Sequence, residues 1–372
     1  MTKIKQLIEE LCSNGISYKE LQDILTIKNG SDYKNLGEGD FPVYGSGGIM
    51  TYVDRFAYDK PSVLIPRKGS IDKLYYVDTP FWNVDTIFYT EINTDVAIPK
   101  FVFYCLQKQH LEELNTAGGV PSLTQKVLNK VKIPVPPLPV QEEIVRILDT
   151  FTELTTELTT ELTTRKQQYE HYTYQLLNFD DTVQTHQLRE LIDFRNGKGH
   201  EKDIVSDGKY IVVNSKFIST NGEVKKYSNK QICPLFVDDI LMVMSDLPNG
   251  RALAKCFLVA EDDKYTLNQR IGAFHVKDES VVKTKFLLYV LNRNQQLLKY
   301  DNGVDQTNLR KDDILDIMIP IPSIEEQERI VAILDRFDTL CNDISEGLPA
   351  EIEGRRKQYE YYRDKLLTFK VK

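Results

Sequence analysis

The sequence predicts an α+β protein with an internal pseudo-two-fold repeat, in which two similar globular regions are separated by two long antiparallel helices. The main observation is that one stretch occurs twice, since Gln141–Asp149 returns as Gln327–Asp335, 186 positions later. Each copy follows a region rich in β-strand signals and turn residues, and each begins a long run of helical periodicity. A repeat with so long a period fixes the architecture before any single element is assigned.

Each long helix begins after a proline-rich segment, Ile133–Pro136 or Ile319–Pro322, which suits an extended approach to a helix start. Apolar residues then recur three or four apart, as on one stripe of a coiled-coil helix. In the second copy, Gly347 and Pro349 predict a break or kink. A solvated helix on an unrelated domain is the alternative, and it is disfavoured because two matching helices are natural partners for each other.

The repeat divides the chain into four predicted segments. These are a globular domain with a short N-terminal helix at 1–137, a spacer helix at 138–180, a second globular domain at 181–322 and a C-terminal spacer helix at 323–372. Within the globular domains, which we call head 1 and head 2, Leu21–Gly30 resembles Leu188–Gly197, and single helices are predicted at Lys100–Leu114 and Thr284–Leu298. The remaining side chains differ, which is typical of two binding heads that read different targets.

Composition indicates an ordinary globular protein of 372 residues, with 41% hydrophobic and 27% charged residues. The five cysteines are scattered and the five histidines lack ligand spacing, which predicts reduced thiols and no metal site. The N-terminus is charged rather than signal-like, and no stretch reaches the length of a membrane span, so we expect a cytoplasmic protein without a membrane partner. A net charge of −8 argues against nucleic acid, although a basic face can coexist with an acidic remainder.

The sequence predicts no catalytic site. Gly197-Lys198 and Gly208-Lys209 lack the earlier glycine of a phosphate-binding P-loop. Pro136-Pro137 lacks the preceding Asn or Asp and the following aromatic residue with which an amino-methyltransferase holds a flipped adenine. Asp207-Gly208-Lys209 matches half of an acidic nuclease motif, but a lone Asp-x-Lys is close to random. We therefore expect the chain to be non-catalytic by itself.

Glycine-flanked loops of both heads carry basic, amide or hydroxyl side chains, and loops on a rigid scaffold are the usual place for binding groups. Arg reads guanine and Asn or Gln reads adenine in the major groove, whereas Lys and Ser typically hold phosphates. For any single residue an ordinary solvated turn is an equal alternative, but two matched sets on matched helices favour DNA. The candidate DNA-binding residues are Ser46, Arg67, Lys68, Ser122, Gln125, Asn249, Arg251, Gln269, Arg270, Asn308 and Arg310.

The chain resembles the specificity (S) subunit of Type I restriction–modification systems over essentially its whole length. The resemblance is carried by Val43–Ile49, Ile65–Ser70, Gly119–Thr124, the Gln-Glu-x-Ile-Val-x-Ile-Leu-Asp helix starts and the Arg-Lys-Gln helix ends. Three tandem Thr-Glu-Leu-Thr units, from Thr152 to Thr163, look like the short repeats that some members carry in their central helix. Residues 198–280 match only in plan, so the resemblance does not transfer the fine recognition contacts.

The resemblance implies that each head is a target-recognition domain for one half of a bipartite, asymmetric site in double-stranded DNA. The helices would set the spacing and dock two modification subunits, and two restriction subunits can join them. No cofactor is expected on this chain, because S-adenosylmethionine, ATP and Mg would belong to the partner subunits.

Two rival functions come from other classes. A stand-alone DNA methyltransferase or nuclease would be favoured by S-adenosylmethionine binding to the isolated chain. A protein scaffold that does not bind DNA would be excluded if charge reversal at both heads abolished DNA affinity without loss of assembly.

Overall fold

The computed structural model describes residues 2–115, 119–248, 250–343 and 345–370, in which helices and strands alternate as predicted for an α+β protein. Two short 3-10 turns lie at Leu21–Asp23 and Leu111–Leu114. The other elements of the first half are α1 (Thr2–Leu11), β1 (Tyr18–Glu20), β2 (Leu25–Lys28), β3 (Phe41–Gly45), β4 (Gly48–Val53), β5 (Ser62–Pro66), β6 (Tyr75–Val77), β7 (Trp82–Asn83), β8 (Ile87–Ile92), α2 (Pro99–Lys108), α3 (Gln125–Leu128), β9 (Lys132–Pro134) and α4 (Leu138–Leu177).

The second half repeats much of this order. Its elements are β10 (Thr185–Gln187), α5 (Leu188–Leu191), β11 (Ile192–Asn196), β12 (Ile204–Val205), β13 (Tyr210–Val213), α6 (Ser215–Ser219), β14 (Tyr227–Ser228), β15 (Ile240–Val243), β16 (Ser245–Asp246), β17 (Cys256–Leu258), β18 (Tyr265–Leu267), β19 (Ile271–Val276), α7 (Thr284–Leu291), α8 (Gln295–Leu298), β20 (Thr307–Asn308), α9 (Lys311–Leu315), β21 (Met318–Pro320), α10 (Ile324–Asn342) and α11 (Leu348–Leu366). Among the described residues, none of these helices is long and apolar enough to cross a membrane.

The chain folds as two compact units. Unit 1 contains the residues up to Glu161 and those from Leu348 onward, and unit 2 contains Leu162–Gly347. Unit 1 therefore holds head 1, the first part of α4 and the whole of α11. Unit 2 holds the last part of α4, head 2 and α10.

In unit 1, a four-stranded antiparallel sheet has the order β2-β8-β5-β6. Its central strand β5 is buried along its whole length, because both faces of the sheet are covered. Val63 and Ile65 pack in the same core as Phe101 of α2, whereas Leu64 belongs to the cluster around Phe81 on the other side. A smaller sheet, β4-β3-β7, combines an antiparallel and a parallel pairing.

Unit 2 has the same plan. Its four-stranded antiparallel sheet has the order β11-β19-β15-β17, and β15 is buried throughout. Ile240 and Met242 pack in the core of Phe286 from α7, whereas Leu241 packs with Phe217 on the other face. The second sheet, β12-β14-β13-β18, again contains one parallel pair. The predicted repeat of the heads is thus present at the level of strand order.

Each unit packs two helix segments against its head. In unit 1, Phe151 of α4 stacks on Tyr362 of α11 with ring centroids 5.2 Å apart. In unit 2, Tyr169 and Tyr172 of α4 both contact the ring of Phe337 in α10. The predicted break in the second long helix is confirmed, since α10 ends at Asn342 and α11 begins at Leu348.

Two predicted helices are shorter than the sequence indicated. The helix predicted at Lys100–Leu114 ends at Lys108, where His110 has a φ of +47° and a 3-10 turn follows. The helix predicted at Thr284–Leu298 is likewise divided into α7 and α8, with Arg293 between them at a φ of +57°. Left-handed backbone at a residue other than glycine interrupts helical hydrogen bonding and has no reliable sequence signal.

Gln141 fixes the start of α4 to head 1. Its side-chain oxygen accepts a hydrogen bond from the backbone N–H of Ile98 at 2.9 Å. Its side-chain nitrogen donates to the carbonyl oxygens of Val96 at 2.9 Å and Pro136 at 2.8 Å. The side chain is fully buried, so these three bonds satisfy backbone groups that water cannot reach.

Gln327 repeats this arrangement at the start of α10. Its side-chain oxygen accepts from the N–H of Lys283 at 2.9 Å, and its nitrogen donates to the carbonyls of Val281 and Pro322, both at 3.0 Å. This side chain is also fully buried. The glutamine that begins each copy of the sequence repeat is therefore a clamp between a head and its long helix.

A second pair of clamps lies two helical turns further along. The carboxylate of Asp149 accepts from Lys100 at 2.8 Å and from the hydroxyl of Tyr104 at 2.5 Å. Asp335 makes the same two contacts in unit 2, both at 2.6 Å, with Lys285 and Tyr289. Desolvation by burial, followed by the hydrogen bond to Asp149, raises the pKa of Tyr104, so the phenol stays protonated and donates.

We expect Gln141→Ala to lower the free energy of unfolding by about 2–4 kcal/mol, because it leaves several buried backbone groups without partners. Gln141→Glu should also destabilise the protein, since a carboxylate cannot donate to two carbonyl oxygens. Gln175→Ala is the matched control, because Gln175 is an exposed glutamine of the same helix. Chemical unfolding of the three variants measures the difference, and equal stability of Gln141→Ala and Gln175→Ala would contradict the clamp.

Glu143 links α1 to α4 through a buried carboxylate. Its side chain is 3% exposed, and it accepts from Arg146 at 2.7 and 3.0 Å and pairs with Lys3 at 3.2 Å. The hydrogen bonds from Arg146, more than those from Lys3, lower the pKa of Glu143 to about 2 against the opposing effect of burial.

A lowered pKa in the folded state means that ionised Glu143 stabilises the fold above pH 4.5 and that this contribution is lost as the pH falls towards 2. We expect Glu143→Gln to be less stable than the wild type at pH 7, by about 1.5–3 kcal/mol. The difference should shrink between pH 4.5 and 2. Thermal unfolding across this range checks the result, and a difference independent of pH would refute the assignment.

Candidate nucleic-acid interface

The candidate residues of head 1 gather at one end of its four-stranded sheet. Arg67 and Lys68 follow directly after β5, and Thr86 precedes β8, its antiparallel neighbour. The backbone N–H groups of Arg67 and Lys68 both donate to the carbonyl of Thr86, at 2.8 and 3.2 Å. We call this region, with Ser46 and Ser122, the polar end of head 1.

Ser46 reaches the polar end from the turn between β3 and β4. Its N–H donates to the hydroxyl of Thr86 at 3.3 Å, and its carbonyl accepts from the hydroxyl of Tyr75 at 3.3 Å. Gly69 has a φ of +84°, and a Cβ at this position would lie 3.3 Å from the Ser46 hydroxyl oxygen. The turn and the Arg67–Gly69 loop thus pack closely, and glycine is the residue that this backbone favours.

Ser122 and Gln125 complete the polar end of head 1. An isolated β-bridge pairs Lys68 with Ser122, and the N–H of Leu123 donates to the carbonyl of Arg67 at 2.9 Å. Gln125 begins α3, and its side chain donates to the carbonyl of Ile27 at 3.2 Å, near the end of β2. The structure therefore brings together all five of the candidate residues in head 1.

The two cations of head 1 differ in freedom. Arg67 is half-buried, with its guanidinium 5.8 Å from the ring centroid of Phe88 and 3.5 Å from the carbonyl of Asp85. Lys68 is exposed. Such an arrangement offers one positioned guanidinium and one flexible ammonium to an anionic or hydrogen-bonding ligand.

Head 2 contains the same backbone frame. The N–H of Met244, which follows β15, donates to the carbonyl of Arg270 at 2.9 Å, and the N–H of Leu309 donates to the carbonyl of Met244 at 2.8 Å. Ser245 pairs with Asn308, as Lys68 does with Ser122 in head 1. These matching bonds define the polar end of head 2 as Met244, Ser245, Arg270 and Asn308.

Other candidate residues surround the polar end of head 2. Gln269 is exposed and donates to Glu201 at 2.6 Å, so its amide is already engaged. Arg270 is exposed and has a φ of +68°. Asn308 is exposed, and the exposed Arg310 precedes α9.

Arg251 lies in a loop that is organised by Asp246. The Asp246 carboxylate accepts from the N–H groups of Leu247 at 2.9 Å, Ala252 at 2.7 Å and Leu253 at 3.2 Å. Arg251 is exposed on this loop. Asn249, another candidate, lies outside the residues that the structure describes.

Sequence reasoning missed three residues of the two polar ends. Thr86 joins three segments of head 1, and Met244 takes the equivalent place of Arg67 in head 2. Gln306 holds the buried Ser245 by donating to its hydroxyl at 2.8 Å. The strand order would have located Thr86 and Met244, because both flank the end of a central strand, but an isolated threonine or methionine carries no motif.

Among the described residues, no group of three or more His, Cys, Asp and Glu side chains could hold a metal ion. The buried His200 uses both ring nitrogens, which lie 2.7 Å from the carbonyl of Lys198 and 2.9 Å from the hydroxyl of Thr266. His200 is therefore a structural residue of head 2. The polar ends offer cations, amides and hydroxyls, which are the groups that bind phosphates and base edges.

Comparison with known proteins identifies related chains. The family model described as the Type I restriction modification DNA specificity domain matches residues 14–165 and again residues 180–354. A putative type I restriction enzyme specificity subunit from Haemophilus influenzae is 29% identical over 99% of this chain and 98% of its own length. The EcoR124I/EcoR124II specificity subunit from Escherichia coli is 33% identical over 75% of this chain and 73% of its own length.

Solved structures share the fold. The S subunit of a Type-I restriction-modification system from M. genitalium has a TM-score of 0.60 at 15% identity, over 95% of this chain and 96% of its own. A chain solved in work on complex assembly and conformational transition of the type I R-M system has a TM-score of 0.58 at 14% identity, over 95% and 97% of the two chains.

Proposed function

Because the chain belongs to the Type I restriction–modification DNA specificity family, we propose that head 1 and head 2 each read one half of a bipartite, asymmetric site in double-stranded DNA. The observation that carries this proposal is the repeated polar end, where one backbone frame holds different side chains in the two heads. A shared frame accounts for a common way of approaching DNA. The different side chains account for two different half-sites.

The chain is the DNA-specificity subunit and is non-catalytic by itself, since enzymatic activity in this family resides in partner subunits. Its partners are double-stranded DNA and two modification subunits, and two restriction subunits complete the larger complex. S-adenosylmethionine, ATP and Mg belong to these partners, and the complex works in the cytoplasm. Membership of this family supports neither a stand-alone methyltransferase or nuclease nor a scaffold that binds only proteins.

The charge distribution is compatible with DNA binding despite the net charge of −8. Many acidic side chains belong to the long helices, for example Glu153 and Glu157 in α4, whereas Lys68, Arg251 and Arg270 are exposed on the heads. Cations that neutralise phosphates make affinity fall steeply with salt. The acidic remainder leaves a share of the DNA contact to the partner subunits.

The long helices set the distance between the half-sites. The three Thr-Glu-Leu-Thr units lie within the uninterrupted helix α4. Threonine hydroxyls in these units donate to carbonyls four residues earlier, from Thr152 to Leu148 at 3.1 Å and from Thr156 to Thr152 at 2.9 Å. Because the helix satisfies these hydroxyls internally, a unit can be removed without leaving an unpaired partner elsewhere.

The proposal is tested by expressing the chain with its modification subunit and sequencing the methylated positions of the host genome. The expected result is one asymmetric motif of two specified half-sites around a gap of unspecified bases. Methylation without such a motif, or methyl transfer by the isolated chain, would overturn the proposal.

The two heads should be separable. We expect Arg67→Ala or Lys68→Ala to weaken recognition of one half-site, and Arg251→Ala or Arg270→Ala to weaken the other. Loss of a base contact should relax specificity at one position by about 1–3 kcal/mol, whereas loss of a phosphate contact should weaken binding to all sequences equally. Binding assays on sites with single base changes measure both effects. An equal effect of one substitution on both half-sites would contradict independent heads.

Deletion of Thr156–Thr159 should shorten the gap between the half-sites by about one base pair. The helix loses about 6 Å at roughly 1.5 Å per residue, which corresponds to at most about two base pairs at about 3.4 Å each. Only one of the two long helices is shortened, and the complex can bend to absorb part of the change. Methylation-site sequencing should show the same half-sites with a shorter gap.

The control for this deletion keeps the length of the helix. A variant with both Thr156→Ala and Thr159→Ala should retain the wild-type gap. An unchanged gap in the deletion variant, or altered bases within its half-sites, would show that the helix does not set the spacing.

A further inference from the structure

The polar ends of the two heads share a backbone frame but place their cations at different corners. The corresponding residues, defined by matching hydrogen bonds and bridges, are Arg67 and Met244, Lys68 and Ser245, Thr86 and Arg270, and Ser122 and Asn308. In head 1 the cations follow the central strand of the sheet. In head 2 that corner is apolar or neutral, and the guanidinium lies across the frame, immediately before β19.

Arg270 differs from the structural arginines of head 2 in having an uncommitted side chain. Arg195 pairs with the buried Asp239, and Arg293 donates to the carbonyl of Leu253 at 3.0 Å. Within the described part of the chain, the exposed guanidinium of Arg270 has no hydrogen bond or ion pair. Its donors are therefore available to a ligand.

The backbone that carries Arg270 is held from several sides. Its carbonyl accepts from Met244, and the preceding Gln269 is tied to Glu201 at 2.6 Å. Asn268, one residue earlier, accepts at its side-chain oxygen from the N–H of His200 at 3.2 Å. The left-handed φ of +68° at Arg270 costs energy for a residue other than glycine, so the turn persists because its surroundings determine it. A fixed Cα reduces the entropy that the side chain loses on binding.

The neighbours of Arg270 favour a base rather than a phosphate as the ligand. The half-buried Met244 adjoins it in the frame, and Leu247, which is 68% exposed, follows three residues later on the same strand exit. Phosphates are usually held by several cations, hydroxyls and backbone N–H groups. The floor of the major groove presents thymine methyl groups beside base edges, and an arginine fork fits O6 and N7 of guanine.

We propose that Arg270 reads a guanine in the half-site of head 2, and that Thr86, at the same corner of head 1, reads no base. Head 1 then takes its specificity from the opposite corner, at Arg67 and Lys68. This inference rests on the proposed function and names the residue and base class by which one head performs it.

The test compares Arg270→Gly and Arg270→Asn in the complex with the modification subunit. Both residues accept left-handed backbone, so neither variant adds strain to the turn. Arg270→Gly should lose the preference for guanine at one position of one half-site by about 10- to 100-fold. Arg270→Asn should move that preference towards adenine, because an asparagine amide pairs with N6 and N7 of adenine.

Lys277→Ala is the matched control. Lys277 directly follows β19, so it lies about 20 Å from Arg270 at roughly 3.3 Å per residue, and its removal changes the net charge equally. Methylation-site sequencing and competition binding should show the wild-type motif for this variant. Retention of the head 1 half-site, which is the one altered by Lys68→Ala, shows that the Arg270 variants are folded.

Three results would overturn the inference. A head 2 half-site without guanine in the wild type would do so, as would an unchanged motif in both Arg270 variants. Equal weakening at all sequences would assign Arg270 to a phosphate. Each leaves the proposed function intact as long as the wild-type complex methylates a bipartite motif, whereas absence of that motif in the wild type defeats the proposed function itself.

Discussion

The buried glutamine at the start of each long helix is the interaction on which the architecture depends. The chain enters each helix through a proline-rich segment, and it enters the first helix of the head through another extended segment, so backbone groups of both lack regular partners. Gln141 and Gln327 satisfy these groups with one acceptor and two donated bonds each. An apolar side chain of the same size would leave them buried and unpaired. The amide therefore makes each head and helix start one rigid body.

Rigidity at the clamps is transmitted to the polar ends through the buried central strands. Val63 and Ile65 of β5 share a core with the helix that Gln141 holds, and Arg67 follows the same strand one residue after its end. In head 2, Ile240 and Met242 of β15 do the same before Met244. A ligand at a polar end is thus held by side chains whose Cα atoms are fixed relative to a long helix. Positioned binding groups of this kind lose little entropy on binding.

The sequence was sufficient for the parts of the fold that repeat. The period of 186 residues located both helix starts, and Gly347 and Pro349 located the break between α10 and α11. It was insufficient where local backbone departs from its usual conformation, as at His110 and Arg293, because a left-handed residue other than glycine is imposed by tertiary packing. The equivalence of Thr86 and Arg270 was also hidden, since it exists in hydrogen bonds between backbone atoms and not in side-chain identity.

That last property explains why the heads could diverge while keeping one plan. The bonds that build each polar end run from Arg67 N–H to the Thr86 carbonyl and from Leu123 N–H to the Arg67 carbonyl, with counterparts in head 2, and none of them uses a side chain. Exposed side chains on such a frame can change with little effect on stability, because substitutions away from packed or hydrogen-bonded features usually cost less than about 0.5 kcal/mol. Arg67 and Met244, or Thr86 and Arg270, can therefore occupy the same corner. Recognition is free to vary at the polar end, while the clamps, whose bonds depend on particular side chains, recur in both copies.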